Sequence, residues 1–157
     1  MIRIDDIVEK VAHNHAQADL DLLRRAYLFS AREHKGQKRA SGESYLVHPL
    51  EVANILADMK LDEVSVATGL LHDVVEDTLV DLDTIRKYFG EEITHLVDGL
   101  TKIAQLTREG TIDLKMSDIE LAFYTNARLT MGTNNTKGRI TAEAYELSLI
   151  HIDAADD

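Results

Sequence analysis

Asp62-Glu63-Val64-Ser65-Val66-Ala67-Thr68-Gly69-Leu70-Leu71-His72-Asp73-Val74-Val75-Glu76-Asp77 is the stretch from which the rest of the chain is read. At about 100° per residue, Ser65, Gly69, His72, Asp73, Glu76 and Asp77 fall on one side of a helix. Val64, Ala67, Leu70, Leu71, Val74 and Val75 fall on the other. Asp62 stands just before this pattern and is a good helix cap, so the spacing predicts a helix from Asp62 to about Asp77. The polar side carries His72, Asp73, Glu76 and Asp77 with no Lys or Arg. Carboxylates on consecutive turns repel one another unless a cation or water lies among them. Gly69, mid-helix on the same side, costs about 1 kcal/mol relative to Ala, which suggests room left for something to approach.

The flanking sequence has the same periodicity. Ile4, Ile7, Val8 and Val11 recur at helical spacing, as do Leu20, Leu23, Ala26, Tyr27, Ser30 and Ala31, with Gly36 as a stop. A loop follows from Lys35 to Val47, and the single proline, Pro49, suits the first turn of another helix. Asp81 can cap a helix that stops at Gly90, and Ile93, Leu96, Val97, Leu100 and Ile103 continue the pattern. No period-2 run interrupts these segments, so the predicted fold class is all-α. After Leu106 the character changes. Thr107 to Thr111 reads as a turn, Ser117 with Glu120 as a capping box, and Gly132-Thr-Asn-Asn-Thr-Lys-Gly138 as turn chemistry.

A chain of 157 residues fits one domain or one domain plus an appendage. Its 45% hydrophobic and 29% charged residues exclude wholesale disorder, and the absence of cysteine excludes a disulfide scaffold or a thiol nucleophile. Seventeen Lys and Arg against 28 Asp and Glu give a net charge of −11. That balance argues against DNA or RNA held on a basic surface, but a local basic patch or a metal can still attract a small anion. The apolar runs are too short for a membrane span or a signal peptide, so a cytoplasmic protein without membrane contact is expected.

His72 and Asp73 are adjacent and can both point into a cleft, and His48, just before Pro49, could supply a third ligand. Imidazole with carboxylate suits a borderline divalent ion such as manganese, zinc or iron. Glu76 and Asp77 follow one turn on, where an acid/base pair would orient a metal-activated water. In the preceding loop, Arg39 can stack a flat guanidinium on a purine, which Lys38 would do less well. Lys38, Ser41 and Tyr45 are further candidate nucleotide contacts. A solvated basic loop is the ordinary alternative for Lys35, Lys38 and Arg39. His13, His15, His34, His95 and His151 read as ordinary surface residues.

Three motifs in order then become specific: Arg39-Ala-Ser41-Gly42-Glu43-Ser-Tyr45-Leu-Val-His48-Pro49, Gly69-Leu-Leu-His72-Asp73-Val-Val-Glu76-Asp77-Thr78, and Val97-Asp98-Gly99-Leu-Thr101-Lys102. Together they resemble the HD hydrolase domain of RelA/SpoT-type alarmone synthetase/hydrolases, from the N-terminus to about residue 105. The resemblance implies an HD-domain helical bundle over residues 1–105. It also implies a single Mn2+ held by His48, His72, Asp73 and a more distant Asp, with Glu76 and Asp77 catalytic and Arg39 against a guanine base. The implied reaction removes the 3′-pyrophosphate of guanosine tetra- or pentaphosphate (ppGpp or pppGpp), giving GDP or GTP and pyrophosphate.

Residues 106–157 fall outside the resemblance and read as a partly helical segment. The family's last metal-binding Asp lies in a stretch resembling Ala-Asp-Arg-Leu-His-Asn-Met-Arg, which has no counterpart here. Asn126-Ala-Arg-Leu-Thr-Met131 lacks the needed residues, and Asp113 and Asp118 lie in unmatched sequence. Asp118 would sit in the first turn of its helix, beside a positive helix end, so it is not expected to be a tight ligand. Weaker binding of metal and nucleotide than in an intact relative is expected, with low or absent activity as the consequence of the missing downstream Asp. Two alternatives stand beside the hydrolase: a non-catalytic nucleotide-binding HD module, and an HD phosphohydrolase for another nucleotide. The synthetase and regulatory regions of long relatives have no counterpart in this sequence, so ppGpp synthesis is not expected. The closing stretch from Leu147 reads either as an unusual native tail or as non-native sequence.

Overall fold

A computed structural model describes the backbone of residues 1–108 and the side chains of residues 1–101. Among the described residues the chain forms seven helices: α1 (Ile4–Asn14), α2 (Leu20–Glu33), α3 (Val47–Asp58), α4 (Glu63–Leu71), α5 (Val74–Asp77), α6 (Leu82–Phe89) and α7 (Glu91–Arg108). The extended pairing among these residues is one isolated antiparallel bridge, Lys38 with Ser44. The all-α expectation holds. Asp113, Ser117, Asp118 and the turn at 132–138 lie outside the described residues. The chain divides into two compact units, Met1–Thr101 and Lys102–Asp157, and the boundary drawn from sequence at residue 105 falls inside α7.

Aspartates start three of the helices, two of them, Asp62 and Asp81, at the positions expected from sequence. Asp19, Asp62 and Asp81 each accept a backbone N–H, from Leu22, Ser65 and Thr84 at 3.1, 3.1 and 2.8 Å. Each occupies a donor that the first turn leaves without an intrahelical partner. Hydrogen bonds from Thr84 hold the Asp81 carboxyl below its ordinary range. Gly90 ends α6 at φ 88, a left-handed conformation that glycine adopts without strain.

Helix α4 lies at the centre. Every residue from Ser65 to Leu71 is buried, and the helix packs against both α2 and α3. A helix enclosed in this way needs small residues where a neighbour comes close. Gly69 is that place: a Cβ there would lie 2.8 Å from Leu56 Cδ1, 3.4 Å from Val52 Cγ1 and 3.5 Å from Ala53 Cα. What approaches Gly69 is therefore α3. Helix α1 closes the other side of α2 and α3, with Lys10 Nζ reaching Asn54 Oδ1 at 2.7 Å and Asp58 Oδ1 at 2.6 Å.

The predicted continuous helix from Asp62 to Asp77 is interrupted. α4 ends at Leu71 and α5 begins at Val74, with His72 and Asp73 in the turn between. Both keep right-handed backbone angles, but Asp73 at ψ −11 sits at the edge of the helical region. The cause is local. His72 Nδ1 lies 2.7 Å from the Gly69 carbonyl, so the imidazole competes for an acceptor of the backbone ladder. Periodicity cannot reveal a break made by a side chain.

Candidate metal centre and its flanking loop

The break in the α4–α5 line places His72 and Asp73 side by side, facing the first turn of α3. α3 begins at Val47, so His48 falls in that turn, and Pro49 follows where a missing N–H is tolerated. The two imidazole rings meet edge to face with centroids 5.2 Å apart. His72 Nε2 lies 3.0 Å from Asp73 Oδ1, and His48 Nε2 lies 3.9 Å from Asp73 Oδ2. One ligand atom from each of the three residues fits within a 4.8 Å group. Side-chain exposure rises from 3% at His72 through 14% at Asp73 to 26% at His48, so the group opens toward solvent on the His48 side.

The donor chemistry fits a divalent cation. A neutral His72 donates Nδ1–H to the Gly69 carbonyl, which leaves the Nε2 lone pair turned to the Asp73 carboxylate. A backbone carbonyl on the far nitrogen is the arrangement that fixes the tautomer of a metal-binding histidine. A proton on Nε2 turns the contact with Asp73 into an ion pair. A cation in that place would engage the lone pair and the carboxylate together, and His48 Nε2 with them.

One turn beyond Asp73, the Asp77 N–H donates to the Asp73 carbonyl at 2.9 Å. Glu76 is partly buried and Asp77 exposed. The Tyr45 hydroxyl donates to Asp77 Oδ2. Burial, the hydrogen bond and the charge of Asp77, and the charge of Asp73 together push the Tyr45 phenol well above its ordinary pKa; Arg39 opposes them. The Arg39 guanidinium lies 5.8 Å from the Tyr45 ring centroid. A tight turn forms the loop tip: the Arg39 N–H donates to the Glu43 carbonyl at 3.0 Å, and the Gly42 N–H to the Arg39 carbonyl at 2.8 Å. Lys38 and Ser41 are exposed on this loop.

His48, His72 and Asp73 are thus brought together, and Tyr45 and Asp77 are joined beside them, with Arg39 at the loop side. Lys38 and Ser41 stay on the outer loop. Sequence reading missed two residues. His34, taken for a surface residue, is buried at 3% exposure, with its ring stacked on Tyr45 at 4.4 Å and 13°. Gln37 was not singled out, yet its Nε2 donates to the Asp77 carbonyl at 3.0 Å. The one sequence signal available was the His34–Gln37 spacing of three residues at the end of a helical pattern.

A helical core presenting a His and a His-Asp pair defines a class, and the comparison with known families agrees. An HD domain model matches residues 26–126, running past the residue-105 limit read from the motifs. The chain belongs to the HD-domain family. Its relatives are of the RelA/SpoT type. It is 41% identical over 146 residues to a GTP pyrophosphokinase of Myxococcus xanthus, covering 93% of this chain and 17% of that protein. It is 47% identical over 106 residues to the GTP pyrophosphokinase rsh of Brucella melitensis, covering 68% of this chain and 14% of that protein. A Streptomyces coelicolor GTP pyrophosphokinase is 43% identical over 103 residues, 64% of this chain and 12% of its own length. The chain spans about a sixth or less of the length of these relatives.

Proposed function

We propose that residues 1–105 form a metal-dependent hydrolase domain of guanosine tetra- and pentaphosphate metabolism, with residues 106–157 an appended segment. The reaction is ppGpp plus water to GDP plus pyrophosphate, and pppGpp likewise to GTP. The observation that carries this reading is the grouping of His48, His72 and Asp73 ligand atoms within 4.8 Å. A carboxylate tethered by Tyr45 stands one turn away. The name of the relatives, GTP pyrophosphokinase, belongs to proteins far longer than this chain.

A divalent ion at His48, His72 and Asp73, manganese by the family resemblance, would activate water and offset phosphate charge. The chain's own residues do the rest. Asp77, held through Oδ2 by Tyr45, keeps Oδ1 to accept a proton from the attacking water, and Glu76 shares that acid/base work. Arg39 stacks on the guanine, while Lys38, Ser41 and the Tyr45 edge line the path of the sugar and phosphates. The substrate is a small anionic nucleotide. A net charge of −11 disfavours DNA or RNA as the partner. Among the described residues no helix is long and apolar enough to cross a membrane, and we assign the protein to the cytoplasm.

The test is a manganese-dependent assay of the full chain with ppGpp, GMP, and GTP plus ATP in parallel. Pyrophosphate released from ppGpp alone is the expected result. Phosphate released from GMP would replace the reading with a different phosphohydrolase. Formation of pppGpp from GTP and ATP would replace it with pyrophosphoryl transfer. Saturable ppGpp binding without turnover would favour a non-catalytic nucleotide-binding module.

A further inference from the structure

We propose that His34 and Gln37 are positioning residues that hold Asp77 at both its backbone and its carboxylate. The catalytic meaning of this role rests on the hydrolase reading above; the geometry does not. Gln37 Nε2 donates to the Asp77 carbonyl at 3.0 Å, which turns its Oε1 toward His34 Nδ1, 2.9 Å away. An amide oxygen accepts, so Nδ1 is a protonated nitrogen, and Nε2 is the ring atom left over. That Nε2 is buried with no hydrogen-bond partner. Buried polar atoms are usually satisfied, so a ring kept here at that cost is retained for another contact.

The contact is Tyr45. The two rings stack nearly parallel, at 13° and 4.4 Å between centroids, and the Tyr45 hydroxyl donates to Asp77 Oδ2. Two arms therefore run from His34 to one residue. One passes through Gln37 to the Asp77 carbonyl, and the other through the Tyr45 ring to the Asp77 carboxylate. α5 is only four residues long and cannot fix the end of its own chain. The clamp supplies that fixation from the loop after α2. A general base placed off line by about 1 Å loses up to about 100-fold in rate, so the clamp matters to kcat more than to binding.

The experiment uses the full chain with Gln37→Ala, which removes the donor to the Asp77 carbonyl and the acceptor of His34 Nδ1 together and leaves the Tyr45 and Asp77 side chains intact. With 13C-labelled tyrosine, the Tyr45 Cζ resonance is assigned by its loss in Tyr45→Phe, and its position without an Asp77 carboxylate is fixed by Asp77→Asn. In Gln37→Ala the signal should move at least halfway to the Asp77→Asn position. kcat on ppGpp should fall by about 10- to 100-fold, with KM and manganese affinity within about twofold of wild type. His34→Phe keeps a stacked ring and removes the Nδ1 donor, and should reproduce the kcat loss if Gln37→Ala does not fold. An unmoved Tyr45 signal, or full kcat in the folded variant, overturns the clamp. Wild-type protein without ppGpp turnover would overturn the hydrolase reading instead, and the Tyr45 resonance would still decide the clamp.

Discussion

Alanine in place of His72 should weaken manganese binding by at least about a hundredfold and remove ppGpp hydrolysis with it. The floor follows from a comparison of effects. Losing a group that only orients a ligand already costs about 10- to 100-fold in affinity, and His72 would be a ligand itself. His72 is also the most buried of the three, at 3% exposure, so a side-chain rearrangement has little space in which to replace it. Two readouts separate loss of the centre from loss of the fold. Titration calorimetry or the electron paramagnetic resonance of free Mn2+ measures affinity, while circular dichroism checks that the helices persist. Unchanged stoichiometric binding in a folded His72→Ala protein would place the metal elsewhere.

Gly69→Leu should produce the second large effect, through packing. A Cβ alone would already stand 2.8 Å from Leu56 Cδ1, and Leu56 is fully buried. Overpacking of this kind costs about 1–3 kcal/mol, and about 4–8 °C of Tm per kcal/mol in a domain of this size. Because α3 carries His48 and α4 leads into His72, forcing the helices apart should also weaken metal binding. Gly69→Ala is the milder probe. It regains helix propensity of about 1 kcal/mol but presses on the end of a leucine, so the terms nearly cancel. Thermal melts with and without Leu56→Ala would show the pressure as non-additivity. A Gly69→Leu protein as stable as wild type, with full manganese affinity, would show the contact to be slack.

Much of this was legible in the sequence, and the residues show why. The apolar periods of α1, α2 and α7, the capping aspartates at 62 and 81 and the stop at Gly90 are local signals, and local physics delivered them. Grouping His48 with His72 and Asp73 rested on their ligand chemistry and on the helix start at Pro49, and the α3–α4 packing brings those residues together. The break at His72–Asp73 was hidden because a side chain competing for a carbonyl leaves no mark on hydrophobic spacing. The polar side of the 62–77 stretch did not foretell that Ser65 and Gly69 would be buried, since small residues suit water and tight helix contacts alike. His34 and Gln37 were missed for another reason. Their role is a relation to Asp77, forty positions along the chain from Gln37, and no short-range pattern encodes it.

The short α5 has a consequence for how the molecule opens. Its end is tied to the rest of the chain by contacts spanning 32 residues to Tyr45 and 40 to Gln37, whereas the α2–α3–α4 core is knit by buried apolar side chains. These ties are single hydrogen bonds at exposed positions with no buried apolar surface behind them, so they are expected to release before the core does. The loop at 35–46 and α5 then behave as one cooperative unit of low local stability, laid over a slower-opening core. Amide exchange would register this as Asp77 and Thr78 losing protection well before Val66–Leu71. Each such opening would remove the 35–46 loop and the Asp77 carboxylate in a single event, while His48 in α3 and His72 at the end of α4 remain seated on the core.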